Sequence, residues 1–286
     1  ILVITMLANS DLSQIVTSFT RSSDQGTRVL ESYAGARGLG IADSSAFGFA
    51  IVMGLFIFLT FFSYKNNIIS FKYFFALLLL GGVASISAGR TAILGLVFGI
   101  VYLFLNFRNI RSFLTLISTF LILIVAGYLL LSIDRNSIQN ETLGYFYSYS
   151  MEPILNYINE GSLASSSTDA LHNMYFPLTE KQFLIGDGRY MEGESYYMAT
   201  DAGYMRFALF YGSIFSLLVY VYFIYFVSKI AILNKKYALL LFFLLIFSFA
   251  LHYKGEVVLF SISYNKVLFL ILFFVYMKAQ QFGRKV

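Results

Sequence analysis

Apolar runs about as long as a bilayer is thick constrain this chain more than any other feature. They fall at 46–64, 73–88, 89–107, 112–132, 204–228, 237–252 and 257–277, with a partial run at 1–8. A hydrocarbon layer of about 30 Å is crossed by ~20 helical residues. A helix satisfies its own backbone N–H and C=O groups, which lipid cannot do for it. A membrane β-barrel would instead show short alternating segments. With 58% of residues hydrophobic and only 12% charged, there is too little polar surface to cover a soluble core. The expected fold is all-α, a polytopic transmembrane helical bundle with a large external loop. Transmembrane helices and an arginine-bearing external loop (9–45) occupy 1–132. The large loop is 133–203, and the C-terminal transmembrane helices are 204–286. The opening ILVITMLA reads as the tail of a span that begins upstream.

Charge orients the helices. One set of connections carries Lys65, Lys72, Arg108, Arg111, Lys229, Lys235, Lys236, Lys278, Arg284 and Lys285 and no acid, while all fifteen Asp and Glu fall on the opposite set. Basic residues near span ends stay cytoplasmic. The external parts are then 9–45, a turn near Ser87 to Arg90, the loop 133–203, and a short turn from His252 to Glu256. Lys72 and Arg108 share one side, so 73–107 must cross twice, with SISAGR (85–90) at its outer tip. Lys266 interrupts the last run. Either it faces a protein cavity, or residues 253–265 dip in and out of the membrane.

The net charge of +5 is scattered among spans and forms no basic stripe, so no nucleic-acid partner is expected. The absence of cysteine and the presence of two histidines exclude thiol chemistry and a histidine-built metal site. No metal and no cofactor are expected.

Arg90 lies between two apolar runs, where an arginine must meet an anion or reach water. Ser85, Ser87, Gly89 and Thr91 around it are small enough to admit a phosphate, which a guanidinium binds as a fork. The competing reading is a snorkelling anchor, or an ion pair with a neighbouring helix. Arg21, Arg28 and Arg37 lie in loop 9–45, and Asp43-Ser44 there is a plausible helix cap. The large loop carries Tyr145, Tyr147, Tyr149, Tyr157, Tyr175, Tyr190, Tyr196 and Tyr197. Their rings suit stacking on sugars, or a belt along the headgroups. Asp187, Glu192, Glu194 and Asp201 cluster near its end, and a carboxylate partly desolvated beside a membrane has the raised pKa of a general base. His172 is the only histidine of that loop, and its ordinary pKa suits proton transfer. Lys254 and Glu256 share the short external turn, either pairing together or facing the pocket of Arg90.

These residues resemble a known family. SISAGRTAILGLVFG is similar to the serine-arginine turn of the O-antigen ligase and polymerase superfamily. RGLGIADSSAFGFA resembles the segment before a preceding span in those proteins. LIGDGRY followed by TDAGYMRFALFYGSIFSLL is similar to their glycine turn, polar pair and late span. The resemblance covers about 37–228, and order and spacing carry it more than any one motif. Ligases usually hold His-Asn before the late span, whereas Thr200-Asp201 stands here. That departure favours the O-antigen polymerase (Wzy) family and carries no catalytic histidine to this place. A His-Asn pair occurs upstream at His172-Asn173.

The resemblance implies a metal-independent glycosyltransferase of the bacterial inner membrane, with its active site facing the periplasm. It would join oligosaccharide repeat units carried on undecaprenyl diphosphate. Membrane lipids, a chain-length regulator and a flippase are further expected partners. Arg90, Arg37, Arg28, Lys254 and Arg206 are the cations expected at the diphosphate leaving group. Asp201, then Glu194, then His172 are the expected bases. The alternatives are an O-antigen ligase transferring glycan to lipid A–core, and a lipid-linked oligosaccharide transporter or flippase. The latter would place charges at mid-membrane depth, and here they gather at one face.

Overall fold

The computed structural model describes all residues except 23–26, 28–30, 32, 42–46, 106–109, 135–136, 163–164 and 284–286. It also leaves undescribed the helical side chains at 110–112, 115–116, 123, 126, 130 and 282–283. Arg28 and the Asp43-Ser44 cap therefore lie outside the described residues. The chain forms two compact units, 1–163 and 164–286.

The first unit contains α1 (Leu2–Ala8), α2 (Ser10–Thr20), α3 (Phe47–Lys65), α4 (Phe71–Ala88), α5 (Ile93–Phe104), α6 (Ile110–Leu131) and α7 (Glu141–Glu160). Helix α3 is its centre. Both α4 and α5 pack on α3 far more than on each other, so the two helices expected to form a hairpin are splayed around a third. The reason is on α5. Gly95 and Gly99 recur at the four-residue spacing that lets helix backbones approach closely in membranes. A Cβ at Gly95 would lie 1.9 Å from the Gly54 carbonyl oxygen, and one at Gly99 2.3 Å from the Phe61 ring. Ile57, Phe61, Phe74, Leu78 and Leu103 close the core beside this crossing. The turn between α4 and α5 falls where the sequence places it: α4 stops at Ala88, and Arg90–Ala92 form a 3-10 turn.

The second unit contains α8 (Ser166–Asn173), α9 (Glu180–Leu184), a two-stranded antiparallel ladder of β1 (Met191–Glu192) and β2 (Ser195–Tyr196), then α10 (Gly203–Tyr211), α11 (Ser213–Leu233), α12 (Ala238–His252) and α13 (Ile262–Gly283). The run 204–228, expected as one span, is two helices broken at Gly212, whose φ is 80°. The cause is tertiary. A Cβ at Gly212 would meet the Leu184 carbonyl oxygen at 2.4 Å. The adjoining segment donates Asp187 N–H to the Leu209 carbonyl at 2.6 Å and Gly188 N–H to that of Phe210 at 3.3 Å. Carbonyls that would otherwise be orphaned at the end of α10 are thereby satisfied.

The stretch 133–203, expected as a loop, is largely built: α7, α8, α9 and the ladder lie within it. Asn140 caps α7 by accepting from Leu143 N–H at 2.9 Å, and Thr179 with Gln182 forms a reciprocal capping box on α9. The irregular segment 253–261 is held by two side chains. His252 Nδ1 accepts from Val257 N–H at 3.0 Å and Val258 N–H at 3.2 Å. Asn265 Nδ2 donates to the carbonyls of Val257 and Ser261. An acceptor at Nδ1 leaves the ring neutral with its proton on Nε2, which lies 2.9 Å from the Tyr220 hydroxyl. Lys266 is exposed near the start of α13.

Among the described residues, five helices are long and apolar enough to cross a membrane: Phe47–Lys65, Phe71–Ala88, Ser213–Leu233, Lys235–His252 and Ile262–Gln281. Arg90–Phe104 and Ile117–Leu129 are shorter apolar helices. On α11, Ile214, Phe215, Leu217, Leu218, Val221 and Tyr222 are all exposed. Water would penalise such a surface heavily, whereas lipid tails match it. The chain is a helical, membrane-spanning protein.

Candidate functional site

In the first unit, the segment carrying Arg37 is laid onto the end of α4 by one serine. Ser87 Oγ donates to the Ala36 carbonyl and accepts from Leu39 N–H, both at 3.1 Å, and the Ser87 carbonyl accepts Gly38 N–H at 2.7 Å. Arg37 lies over the Tyr33 ring at 4.7 Å, and its Nε is buried with no hydrogen-bond partner among the described residues. Tyr33 meets Tyr145 edge-on, and Tyr145 stacks with Tyr149. Arg90 lies over Tyr149 at 4.3 Å. Arg37 and Arg90 thus flank one cluster of tyrosines, a grouping not expected from the sequence.

The charge of Arg90 is nevertheless taken. Its Nη1 lies 2.5 Å from Glu152 Oε2, with the arginine side chain 9% and the glutamate 27% exposed. Its backbone N–H also donates to the Tyr149 hydroxyl at 3.3 Å. Of the two readings of Arg90, the ion pair with a neighbouring helix is the one built. Glu152 was not singled out from sequence. Its signal was present, because Tyr149 and Glu152 are three apart on α7 and therefore share a face.

In the second unit, Arg206 on α10 is almost fully buried, with 4% of its side chain exposed. Its Nε lies 2.9 Å from Glu256 Oε2. The rings of Tyr190 and Tyr196 cover its guanidinium, each with its centroid 3.8 Å from Cζ. Glu256 Oε2 also accepts from the Tyr190 hydroxyl. Burial pushes the Glu256 carboxyl up, opposed by the hydrogen bond from Tyr190 and the charge of Arg206. Both Nη1 and Nη2 of Arg206 are buried without a hydrogen-bond partner among the described residues. Beside them lies a cavity of about 260 Å³ lined by Tyr190, Arg206, Phe207, Phe210, Tyr211, Glu256 and Phe260.

Asp201 stands immediately before α10. It is accessible, yet the protein around it removes enough water to push its carboxyl up, against the pull of Lys254 and Arg206. Met198 and Ala199, just upstream, both hold positive φ, at 53° and 52°. Such strain costs about 1–3 kcal/mol per residue and clusters at functional sites. Thr200 is fully buried, and its Oγ1 donates to the Met174 carbonyl at 3.2 Å. The structure thus groups Asp201, Arg206, Lys254 and Glu256. Glu194 lies in the exposed turn of the ladder and His172 in the exposed last turn of α8. Neither bears on the Asp201 or Glu256 carboxyls.

Asp187 has a structural task. It accepts from Lys181 at 3.2 Å, Gln182 at 2.8 Å and Tyr197 at 3.1 Å, and these hydrogen bonds, Gln182 first, hold its carboxyl below its ordinary value. The tyrosines are mostly committed as well. Tyr149, Tyr190 and Tyr196 cover arginines, Tyr175 stacks on Tyr253 at 4.7 Å, and Tyr147 donates to the Ile133 carbonyl. Of the eight, Tyr157 and Tyr196 are exposed. Among the described residues, no three His, Cys, Asp or Glu are placed to hold one metal ion. No protein-family model, curated protein or solved structure matches the chain.

Proposed function

We propose that this chain is a lipid-dependent glycosyltransferase that polymerises oligosaccharide repeat units carried on undecaprenyl diphosphate, at the periplasmic face of a bacterial inner membrane. The observation that carries the reading is Arg206. Its two η nitrogens are buried without acceptors among the described residues, which is expensive, while Tyr190, Tyr196 and Glu256 fix the guanidinium in place. A diphosphate supplies the missing acceptors in the geometry a fork prefers, and the aromatic walls of the adjoining cavity suit the apolar start of a prenyl carrier. Segregation of the acids away from the basic connections supports an outer-face position for this group.

The reaction follows from these groups. The acceptor sugar hydroxyl loses its proton to Asp201 as its oxygen forms a bond to the donor's anomeric carbon. The bond from that carbon to the diphosphate oxygen breaks, and the departing electron pair becomes charge on the carrier. Arg206 and Lys254 stabilise that charge without reorganising. The proton held by Asp201 then returns to solvent.

A strain lacking this chain and complemented with wild type should make a ladder of long glycans, and without complementation the ladder should collapse to a single repeat unit. Loss of every repeat from lipid A–core would mean a ligase or flippase instead.

Asp201→Asn keeps the shape and removes the basicity, so chain extension should fall by ~100-fold or more. A base works only when deprotonated. Wild-type activity should therefore fall as pH drops through the raised pKa of Asp201, and that acid limb should vanish in Asp201→Asn. Wild-type rate in Asp201→Asn, with Glu194→Gln or His172→Ala impaired, would move the role elsewhere.

Orientation has its own test. Cysteines placed at Ser166 and Asn234 are probed with an impermeant thiol reagent in cells with a permeable outer membrane. Labelling is expected at 166 and not at 234; the reverse pattern would invert the topology.

A further inference from the structure

We propose that the groove between α11 and α13 is a binding site for one anionic phospholipid, with an acyl chain in the groove and the phosphate on Lys229. The groove measures about 500 Å³ and is lined by Phe226, Lys229, Ile230, Phe269, Leu272 and Tyr276 among others. Ile230 and Leu272 are buried and form its floor, while Leu233 and Phe273 are exposed at its walls. Two spanning helices that leave such a channel in contact with lipid leave it to be filled by an alkyl chain, because neither water nor vacuum is favourable there.

Charge decides which lipid. Among the described residues, Lys229 is the one cation lining an otherwise apolar and aromatic groove, and an ammonium there needs an anion or water. Asn234 Nδ2 donates to the Val275 carbonyl at 3.5 Å, which levels the end of α11 with that part of α13. Lys235, Lys236 and Lys278 therefore lie toward the same end of the helices, outside the groove lining to which Lys229 belongs. No carboxylate is available to them from the neighbouring helices, because the sequence has no acid between Asp201 and Glu256 and none after Glu256. Tyr276 adds a hydroxyl, which accepts from Gln280 at 3.2 Å and keeps its own proton to donate. A phosphodiester with two acyl chains meets each requirement: apolar length for the groove, one negative charge for Lys229, and acceptor oxygens for Tyr276. The site does not depend on the glycosyl-transfer reading.

The test is native mass spectrometry of the full chain in mild detergent, titrated with phosphatidylglycerol or phosphatidylcholine of identical acyl chains. Wild type should retain phosphatidylglycerol about fivefold better, the effect of one basic residue near an anionic headgroup. Lys229→Gln should bring the ratio to near one with unchanged thermal unfolding, and Lys229→Arg should restore the preference. Equal retention of both lipids by wild type would overturn the proposal, as would an undiminished preference in Lys229→Gln. A dimer that sheds its lipid on assembly would overturn it too, by making the groove a contact between copies.

Discussion

Arg206→Lys is expected to insert and fold like wild type yet to extend glycan chains at least tenfold more slowly. Lysine keeps the positive charge beside Glu256 and the apolar stem between the rings of Tyr190 and Tyr196. It loses the planar fork whose two η nitrogens have no partner among the described residues. Each hydrogen bond to a charged group is worth roughly 1.5–3 kcal/mol, or one to two orders of magnitude in rate when the charge develops in the transition state. Arg206→Ala should be slower still, but it also strands a buried Glu256, so its loss mixes folding with chemistry. The pair Arg206→Gln with Glu256→Gln separates them: it should restore folded yield and leave the reaction slow. Wild-type extension by Arg206→Lys would remove the diphosphate from this site.

Removing Glu152 is expected to be the most destabilising single carboxylate change in the first unit. Arg90 has 9% of its side chain exposed, so Glu152→Ala leaves a nearly buried guanidinium without its counter-charge. Breaking a buried pair costs about 3–5 kcal/mol, and the 27% exposure of Glu152 puts this one at the lower end. A fall of roughly 5–10 °C in the unfolding midpoint in detergent corresponds to that loss. Arg90→Met should fall less, because a protonated or hydrated glutamate at that exposure is tolerated. The double change Arg90→Met with Glu152→Met should recover most of the loss. Its activity then decides what Arg90 does: long chains from the folded double variant make Arg90 an anchor, and short chains place it at the substrate. An unaltered midpoint in Glu152→Ala would mean that the pair carries no stability.

How much could be read beforehand follows from the range of each interaction. The turn at Ser85 to Arg90 was legible because small residues and an arginine interrupt two apolar runs locally. That Arg37 and Arg90 lie at the same end of the spans was legible from charge, but not the tyrosines between them. The partner of Arg90 was not, since Glu152 is 62 residues away and carries no local sign of its role. The tyrosine excess in 133–203 was visible, but its use was not. Sequence spacing does not reveal that Tyr190 and Tyr196 sandwich Arg206 while Glu256, fifty residues on, neutralises it.

Hydropathy and charge are local sums, so the sequence by itself determined that the chain is helical, meets lipid, and keeps its acids away from its basic connections. Tertiary structure alone decided where helices break and which charges meet. Gly212 ends α10 because the backbone at Leu184 occupies the space a side chain would need. Arg90 pairs with Glu152 and Arg206 with Glu256, while both η nitrogens of Arg206 keep no partner among the described residues, because pairing depends on which helices meet, and that is set by packing within each unit.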